Sequence, residues 1–231
     1  MNSHLKLVAV SVFGSLFFTA CQVAPVTAVP QGVPLRISAS EQHQALALGP
    51  LVSKLDTAAS KFGVSYGWFC EPAIQPRLTV DTPIVSRGDL DRAFRTVLEP
   101  LGYNLQKPQN SVFESPEPPK QVLGGTITKI VLNVCHPFTG SPALNVGNPS
   151  IAKGNAAIEI TWELYNVADR SVVFKSSVES SFETKENVAG GAATVIVNTL
   201  TENLRNLASD SKFKDAVVKG GAPRRPDGKA I

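Results

Sequence analysis

The sequence predicts an α+β fold: two small α/β sandwich domains, each with a mixed or antiparallel sheet covered by helices, behind a lipidated flexible tether. Apolar and polar residues alternate most regularly over 158–164, as expected of a strand with one buried face. Apolar residues at helical spacing recur over 51–62, 87–101 and 196–207. A proline-rich segment at 115–120 divides these elements into two sets. The length of 231 residues suits one large domain or two small ones.

The N-terminus has the pattern of a secretory signal peptide over residues 1–20. Lys6 precedes the apolar segment Leu7 to Phe18, which has about a dozen residues where roughly 20 are needed to cross a bilayer core. A basic start, a short apolar region and small residues before the break are typical of a cleaved signal. We therefore expect export from the cytoplasm.

The ending Phe18-Thr19-Ala20-Cys21 resembles the bacterial lipobox. This resemblance implies that Cys21 is acylated, with palmitate among its lipids, and becomes the mature N-terminus. It also implies delivery to the periplasmic face of the outer membrane, because Gln22 rather than Asp follows the cysteine. The alternative is an ordinary cleaved signal with a coincidental cysteine.

Residues 21–34 are predicted to be an extended tether. The segment 22–34 contains three prolines, one glycine and no charged residue. At about 3 Å per residue, it would hold a domain up to roughly 40 Å from the lipid surface. The alternative is that part of the tether packs down as an edge strand.

The first domain is predicted over 35–114. It begins with a strand at 35–38, and Gly49-Pro50 then opens a helix, since proline suits the first helical turn. The apolar face of this helix, over 51–62, consists of Leu51, Leu55, Ala58 and Phe62. Strands are expected to follow at 64–69 and 77–80.

A second helix of the first domain is predicted over 87–101. Ser86 and Asp89 form a capping-box-like start, Pro100 should disturb the last turn, and Gly102 ends the helix. Its apolar face consists of Leu90, Ala93, Phe94, Val97, Leu98 and Leu101. Strands at 103–106 and 111–114 complete the domain.

The stretches LVSKLDTAASKFGVSY and RLTVDTPIVSRGDLDRAFRTVLEPLGYNL resemble the short N-terminal domain of secretins and of TonB-dependent receptors. In that family a helix ends in glycine, a strand follows, and a second helix packs an apolar face before Gly-Tyr or Gly-Leu. The resemblance implies a docking block whose partners are envelope-complex subunits, with a secretin-like ring among the candidates.

The second domain is predicted over 121–218, after the linker 115–120. Strands are expected at 130–134, 158–164 and 172–182, the last two joined by a turn at 168–170. A helix with Ile196, Leu200, Leu204 and Leu207 on its buried face should cover this sheet. The stretches EITWELYNVADRSVVFKSSVESSF and TLTENLRNLASDSKF are similar to envelope lipoproteins of the penicillin-binding-protein-activator and curli-pore kind.

The C-terminal residues 219–231 are predicted to form a basic, disordered tail. The net charge of +3 is concentrated near this end, where lysine and arginine outnumber aspartate. Such a tail suits contact with anionic lipid or nucleic acid, but we favour a solvated end. An exported protein seldom meets nucleic acid, so no nucleic-acid partner is expected.

Two cysteines remain after Cys21, and both are expected in an oxidising compartment. Cys70 and Cys135 each follow a predicted strand, in the similar contexts Cys70-Glu71-Pro72 and Cys135-His136-Pro137. We predict a disulfide between them, and the alternative is two separately buried thiols. The enclosed loop of about 64 residues would make the bond worth about 4 kcal/mol.

The sequence shows no catalytic or metal-binding constellation. His43 and His136 are the histidines left after the signal peptide, and neither lies in a nucleophile motif such as G-x-S-x-G. Cys135-His136 offers too few ligands for a metal, which needs three or four. Glu159 and Glu163 share a strand face that is best explained as solvated, and Gly190-Gly191 is explained equally well by a loop or by a phosphate seat. We expect no enzyme, no cofactor and no small-molecule substrate.

Two segments are candidates for partner contact. Strand 64–69 contains Tyr66, Trp68 and Phe69 but no charge, so an aromatic side chain must face away from the core unless a neighbouring domain buries it. The irregular segment 138–154 is long enough to be a functional loop. Its apolar residues are Phe138, Leu144, Val146 and Ile151. The alternative is that this loop folds onto its own sheet.

Together these features predict a structural or assembly lipoprotein of an envelope-spanning complex, such as a secretion system, pilus or motor. It would act by protein–protein docking, using exposed sheet edges. The alternative is a periplasmic regulatory lipoprotein that activates a peptidoglycan synthase. An envelope hydrolase is disfavoured because a catalytic constellation is missing.

Overall fold

The structure is a computed structural model. It describes residues 26–41, 44–55, 61–66, 72–74, 85–106, 119–137 and 150–220, with 61–66 and 72–74 described by their backbone alone. In these ranges the fold is a mixed sheet with three α-helices, so the predicted combination of helices with a sheet is confirmed.

The strands of the described chain form one sheet in the order β3-β2-β4-β5-β6, with β1 also paired to β4. Their bounds are β1 Leu46–Ser53, β2 Lys61–Tyr66, β3 Pro72–Ile74, β4 Gln121–His136, β5 Ile151–Asn166 and β6 Ser171–Ala189. Strands β4, β5 and β6 are antiparallel neighbours, whereas β1 and β2 run parallel to β4.

Strands β1 and β2 lie end to end along the same edge of β4. The first half of β4 pairs with β1, from Leu46 opposite Gln121 to Ser53 opposite Ile127. The second half pairs with β2, from Lys61 opposite Val131 to Tyr66 opposite His136. Because both pairings are parallel, β1 and β2 together serve as one interrupted strand beside β4.

Three helices accompany the sheet: α1 Arg87–Leu98, α2 Gly191–Ala208 and α3 Ser211–Lys219. The predicted start of α1 is confirmed, because the Asp89 amide donates to Ser86 Oγ at 3.1 Å. The expected disturbance near Pro100 is also present, since Glu99–Leu101 form a 3-10 turn. Helix α3 was not predicted, and it begins at an Asp210 cap that accepts from the Lys212 amide.

The core lies between the sheet and the helices and is continuous. It includes Leu46 of β1, Phe94 of α1, Trp162 of β5 and Leu200 of α2, each almost fully buried. Gly125 of β4 makes room for the largest of these, since a Cβ there would lie 3.0 Å from Trp162 Cε3. A small residue therefore has to stand opposite the indole ring.

The predicted helix over 51–62 is wrong. Leu51 to Ser53 belong to β1, and 61–62 belong to β2. Gly49 and Pro50 fall at a shift in the pairing register between Leu48 and Leu51, so Pro50 sits at a bulge rather than in a helical turn. The spacing of apolar residues resembled a helical face, but pairing with β4 decided the conformation.

The two-domain arrangement is not confirmed. Strand β1, from the predicted first domain 35–114, is hydrogen-bonded to β4 of the predicted second domain 121–218. Residues from both stretches also share one core. The secretin-like and activator-like domains are therefore not shown as separate units.

Smaller predictions for the first half also change. Residues 35–38 do not form a strand, although the Ile37 amide donates to the Leu101 carbonyl at 2.8 Å. The predicted strand at 103–106 is reduced to a bridge between Leu105 and Leu46. The predicted strands at 77–80 and 111–114 lie outside the described residues.

The second half agrees closely with the sequence pattern. The three predicted strands are confirmed within β4, β5 and β6, each of which is longer than predicted. Residues 151–154 of the expected loop belong to β5, because the strand begins at Ile151. Helix α2 buries Ile196, Leu200, Leu204 and Leu207 as predicted. No helix in the described ranges is long and apolar enough to cross a membrane.

Candidate interaction surface

The two faces of the sheet differ in what covers them. Strand alternation places Ile158, Ile160, Trp162 and Leu164 of β5 under the helices, where they are buried. Residues of the opposite parity project to the other side, which we call the open face. No described helix packs on the open face.

One end of the open face carries an apolar row, defined here as Val172, Tyr165 and Val122. Tyr165 of β5 pairs directly with Val172 of β6 and with Val122 of β4. Tyr165 is 37% exposed and Val172 is 45% exposed, and the adjacent Val167 in the β5–β6 turn is 37% exposed. A cross-strand row of this kind forms a contiguous apolar strip.

The next positions along the open face are polar. Glu163 of β5 forms an ion pair with Lys175 of β6 at 2.7 Å. In the following row, Thr161 Oγ1 and Ser177 Oγ lie 2.7 Å apart. The apolar row is therefore bordered by charged and hydroxyl side chains, an arrangement of apolar centre and polar rim that is common at protein interfaces.

The far end of the open face is covered. Val131 and Cys135 of β4 project to this face, yet both are buried. Exposure of apolar side chains on β4, β5 and β6 is thus concentrated at the end of the β5–β6 hairpin.

The sheet that carries the apolar row is held rigidly against α2. Trp162 Nε1 donates to Asn203 Oδ1 at 2.7 Å, and Asn203 Nδ2 donates to the Val178 carbonyl at 2.7 Å. Ser180 Oγ donates to the Thr199 carbonyl at 2.9 Å. These buried bonds join one helix to both strands of the hairpin, so the row is presented on a fixed platform.

Helix α3 closes the core at the same end of the molecule. The Phe213 ring stacks on the Tyr103 ring, with the two ring centroids 5.7 Å apart. It is also tilted against the Phe174 ring, with those centroids 5.5 Å apart. Burial raises the pKa of Tyr103, and the negative charge of Glu41 acts in the same direction. Gln121 Nε2 donates to the Ala216 carbonyl at 3.0 Å, which fixes the end of α3 against β4.

The structure separates the cysteine and histidine that the sequence places side by side. Cys135 projects to the open face of β4 and His136 to the helix side, because neighbouring strand residues alternate. His136 is buried with Nδ1 2.9 Å from the Ile151 carbonyl. The two side chains cannot share one metal ion, and the described residues contain no group of three or more metal-ligating side chains.

The other weak motifs have structural explanations. Glu159 and Glu163 lie on the open face, four strand positions apart, which places their Cα atoms about 13 Å from each other. Gly190 has a φ of 86° and caps the start of α2, and its amide donates to the Ser150 carbonyl at 2.8 Å. The glycine pair is therefore explained by the turn from β6 into α2.

Most of the predicted site residues lie outside the described residues. These are Cys21, Cys70, Trp68, Phe69, Phe138, Leu144 and Val146, and Tyr66 is described by its backbone alone. Lipidation at Cys21 and the bond between Cys70 and Cys135 stay predictions. The contact roles of the aromatic strand and of the 138–154 loop also stay predictions.

The sequence interpretation missed the apolar row. The predicted strand 158–164 stops short of Tyr165, although this residue continues the parity that holds Glu159, Thr161 and Glu163. An aromatic residue at a solvent-facing strand position was the available signal. The link to Val122 could not be read from the sequence, because it depends on the pairing of β4 with β5.

No protein-family profile and no curated protein matches this sequence. Among solved structures, a DUF330-family protein from Xanthomonas campestris has a TM-score of 0.40 at 13% identity, covering 82% of this chain and 99% of its own. The PelC dodecamer from Paraburkholderia phytofirmans has a TM-score of 0.33 at 13% identity, covering 79% and 96%. A Caulobacter crescentus protein provisionally described as a lipoprotein has a TM-score of 0.26 at 12% identity, covering 70% and 89%.

Proposed function

We propose that this chain is a lipid-anchored docking protein of the bacterial outer membrane, a structural or assembly subunit of an envelope-spanning complex. It acts by binding other proteins and carries out no catalysis. The observation that carries this proposal is the apolar row Val172, Tyr165 and Val122 on the open face, in which Val172 and Tyr165 are exposed and Val122 is half-buried. Complexes such as a secretion system, a pilus or a motor use subunits of this kind.

The chemistry of the row suits a protein partner. Tyrosine combines a large apolar ring with a hydroxyl group and is enriched among residues that dominate binding energy. The surrounding Glu163–Lys175 pair and the Thr161–Ser177 hydroxyls supply a polar rim. The fixed platform beneath the row lowers the entropic cost of ordering side chains on binding.

The predicted lipid at Cys21 supports the envelope location in this proposal. Replacing Cys21 with Ser should abolish labelling with palmitate and release the protein from the outer-membrane fraction. Continued palmitate labelling and unchanged fractionation of this variant would show that the chain is not a Cys21-linked lipoprotein.

The docking surface is tested by Tyr165→Glu in the full-length protein. We expect this variant to lose its crosslinked partners in intact envelopes, because a carboxylate would be desolvated in an apolar contact. The matched control is Val33→Glu, which makes a similar change at a side chain that is 83% exposed elsewhere. The control should keep the partners.

Two outcomes would contradict the docking surface. One is retention of the same crosslinked subunits by Tyr165→Glu, and the other is loss of partners only through unfolding, detected as a large fall in Tm. Mass spectrometry of the crosslinked partners also separates the proposal from its alternative. Recovery of peptidoglycan synthases in place of secretion, pilus or motor subunits would favour the regulatory lipoprotein.

A further inference from the structure

The segment between the predicted anchor and the body is bound to the body. We call residues 26–35 the strap. Its amides donate to the body at three points: Val29 to Ser181 Oγ at 2.8 Å, Gly32 to Asn206 Oδ1 at 2.9 Å, and Leu35 to the Ala208 carbonyl at 2.9 Å. The prediction of a free tether over 21–34 is therefore wrong for 26–34. The alternative of an edge strand is not seen for 26–34 either, because these residues lie against the body without joining the sheet.

Gly32 is the point of closest approach. A Cβ on this residue would lie 2.5 Å from Ser209 Cβ and closer still to the Ser209 hydroxyl. No larger residue fits at position 32 while the strap is docked. Asn206 accepts from Gly32 and also donates to the Glu179 carbonyl at 3.0 Å, so one side chain joins the strap, α2 and β6.

The contacts give the strap a direction. Helix α2 runs antiparallel to β6, because Thr199 lies at Ser180 and Asn203 lies at Val178. The strap passes from Leu35 at the end of α2 to Val29 at Ser181. Followed toward its N-terminus, the chain therefore moves away from the β5–β6 hairpin and toward the Gly190 turn.

We propose that the strap orients the body on the membrane, with the Gly190 end facing lipid headgroups and the apolar row at the hairpin facing away. This inference rests on the lipid anchor of the proposed function. The eight Cα steps from Cys21 to Val29 span at most about 28 Å, so the middle of β6 stays near the bilayer. The ten residues from Ser181 back to Ser171 place the hairpin about 33 Å farther along β6.

A tether that did not bind the body would leave the orientation of the body on the membrane unrestricted. If the chain left the body at Leu35, it would depart beside the end of α2, on the hairpin side of Ser181. The body could then turn either end toward the lipid. The three strap contacts move the point of departure from the end of α2 to Val29 at Ser181, and this shift favours the orientation in which the apolar row faces partners in the periplasm.

Docking of the strap is tested by hydrogen exchange on the mature full-length protein in detergent. The amides of Val29, Gly32 and Leu35 should exchange at least about tenfold more slowly than those of the exposed residues Thr27, Ala28 and Val33. Gly32→Val should abolish this protection, because its side chain collides with Ser209, whereas Gln31→Val should not. Adding Ser209→Gly to Gly32→Val should restore it. Equal exchange at all these amides would overturn the strap.

Orientation is tested by energy transfer to fluorescent lipid in vesicles of phosphatidylethanolamine and phosphatidylglycerol. A dye is attached through an azide-bearing amino acid at Asn187, near the Gly190 turn, or at Ala168, in the hairpin. Transfer should be several-fold greater from position 187 than from 168, and Gly32→Val should bring the two values together. Equal energy transfer from positions 187 and 168 in the protein with the native strap would overturn the inference.

The two tests separate this inference from the proposed function. If the protein takes up no palmitate and does not bind vesicles, the lipid anchor is refuted. The proposed orientation is then refuted as well, even if the strap amides are protected. Protein that is lipidated and bound but shows no difference between the two dye positions refutes the orientation alone.

Discussion

Asn203 joins α2 to both strands of the β5–β6 hairpin. It is fully buried, accepts from Trp162 Nε1 and donates to the Val178 carbonyl. Leucine or alanine at this position would leave the indole N–H without its acceptor in a dry environment. An unsatisfied buried donor costs more than the hydrogen bond contributes.

We predict that Asn203→Ala lowers the free energy of unfolding by about 2–4 kcal/mol. Chemical denaturation followed by tryptophan fluorescence measures the change. Asn198→Ala, on the same helix but only partly buried, should stay within about 0.5 kcal/mol of wild type. Equal effects of the two substitutions would show that the Trp162 contact is unimportant.

Glu41 gives the protein a pH-dependent contact. Its carboxylate accepts from the Ser38 amide at 2.7 Å and from Ser38 Oγ at 3.0 Å, and it lies 3.1 Å from Lys214 Nζ. The Ser38 amide, followed by Lys214, lowers the pKa of Glu41 from 4.5 to about 2. Because the pKa is lower in the folded state, the carboxylate stabilises the fold above pH 4.5, and this contribution disappears as the pH falls toward 2.

We predict that Glu41→Gln lowers Tm at pH 7 and that the difference from wild type vanishes as the pH falls from about 4.5 to about 2. Thermal melts across this range measure it. Glu183→Gln, at an exposed position on β6, is the control and should leave Tm unchanged at pH 7. A difference from wild type that persists at pH 2 would mean that Glu41 acts through packing rather than charge.

At the scale of elements, the long antiparallel strands and helices α1 and α2 were predictable, whereas β1 and α3 were not. Periodicity within β5 and α2 is local, so one sequence contains it. The conformation of Leu51 depends on its pairing with Gly125 of β4, which lies far away in the sequence. In the structure, the bulge at Gly49-Pro50 shows that the proline stands in an edge strand and not at the start of a helix.

Adjacent glycines in β4 provide a matched pair for testing the sheet. A Cβ at Gly125 would lie 2.8 Å from Leu51 Cδ1 and 3.0 Å from Trp162 Cε3, whereas at Gly124 the nearest atom is 3.4 Å away. We predict that Gly125→Ala costs about 1–3 kcal/mol through overpacking. Gly124→Ala should cost clearly less, as measured by urea denaturation. If Gly124→Ala lowered the free energy of unfolding more than Gly125→Ala does, the placement of Trp162 over Gly125 would be contradicted.

At the scale of the whole molecule, the sequence suggested two domains, whereas the strands among the described residues belong to one sheet. The linker at 115–120 marked a change of composition, and nothing local revealed that β1 and β2 return to pair with β4. For the candidate site, the polarity of the open face was predictable from Glu159 and Glu163. The apolar row required knowledge of strand register, because its members come from three strands.

The disulfide between Cys70 and Cys135 stays a prediction, because Cys70 lies outside the described residues. Tyr66, the last residue of β2, lies opposite His136, and Ser65 lies opposite Cys135, while Cys70 comes four residues after Tyr66 in the sequence. We predict that non-reducing digestion of the mature protein yields a Cys70–Cys135 linked peptide. Reduction should then destabilise the fold by about 4 kcal/mol. Free alkylation of both thiols in the native protein would instead indicate two buried cysteines.

The end-to-end placement of β1 and β2 bears on export. Both strands are translated before β4, yet β4 supplies the central ladder on which each of them pairs. The first half of the chain therefore cannot complete its sheet until residues 121–136 have followed it. If the signal peptide predicted over residues 1–20 directs export, the leading half of the chain would complete its sheet only after β4 has also crossed the membrane.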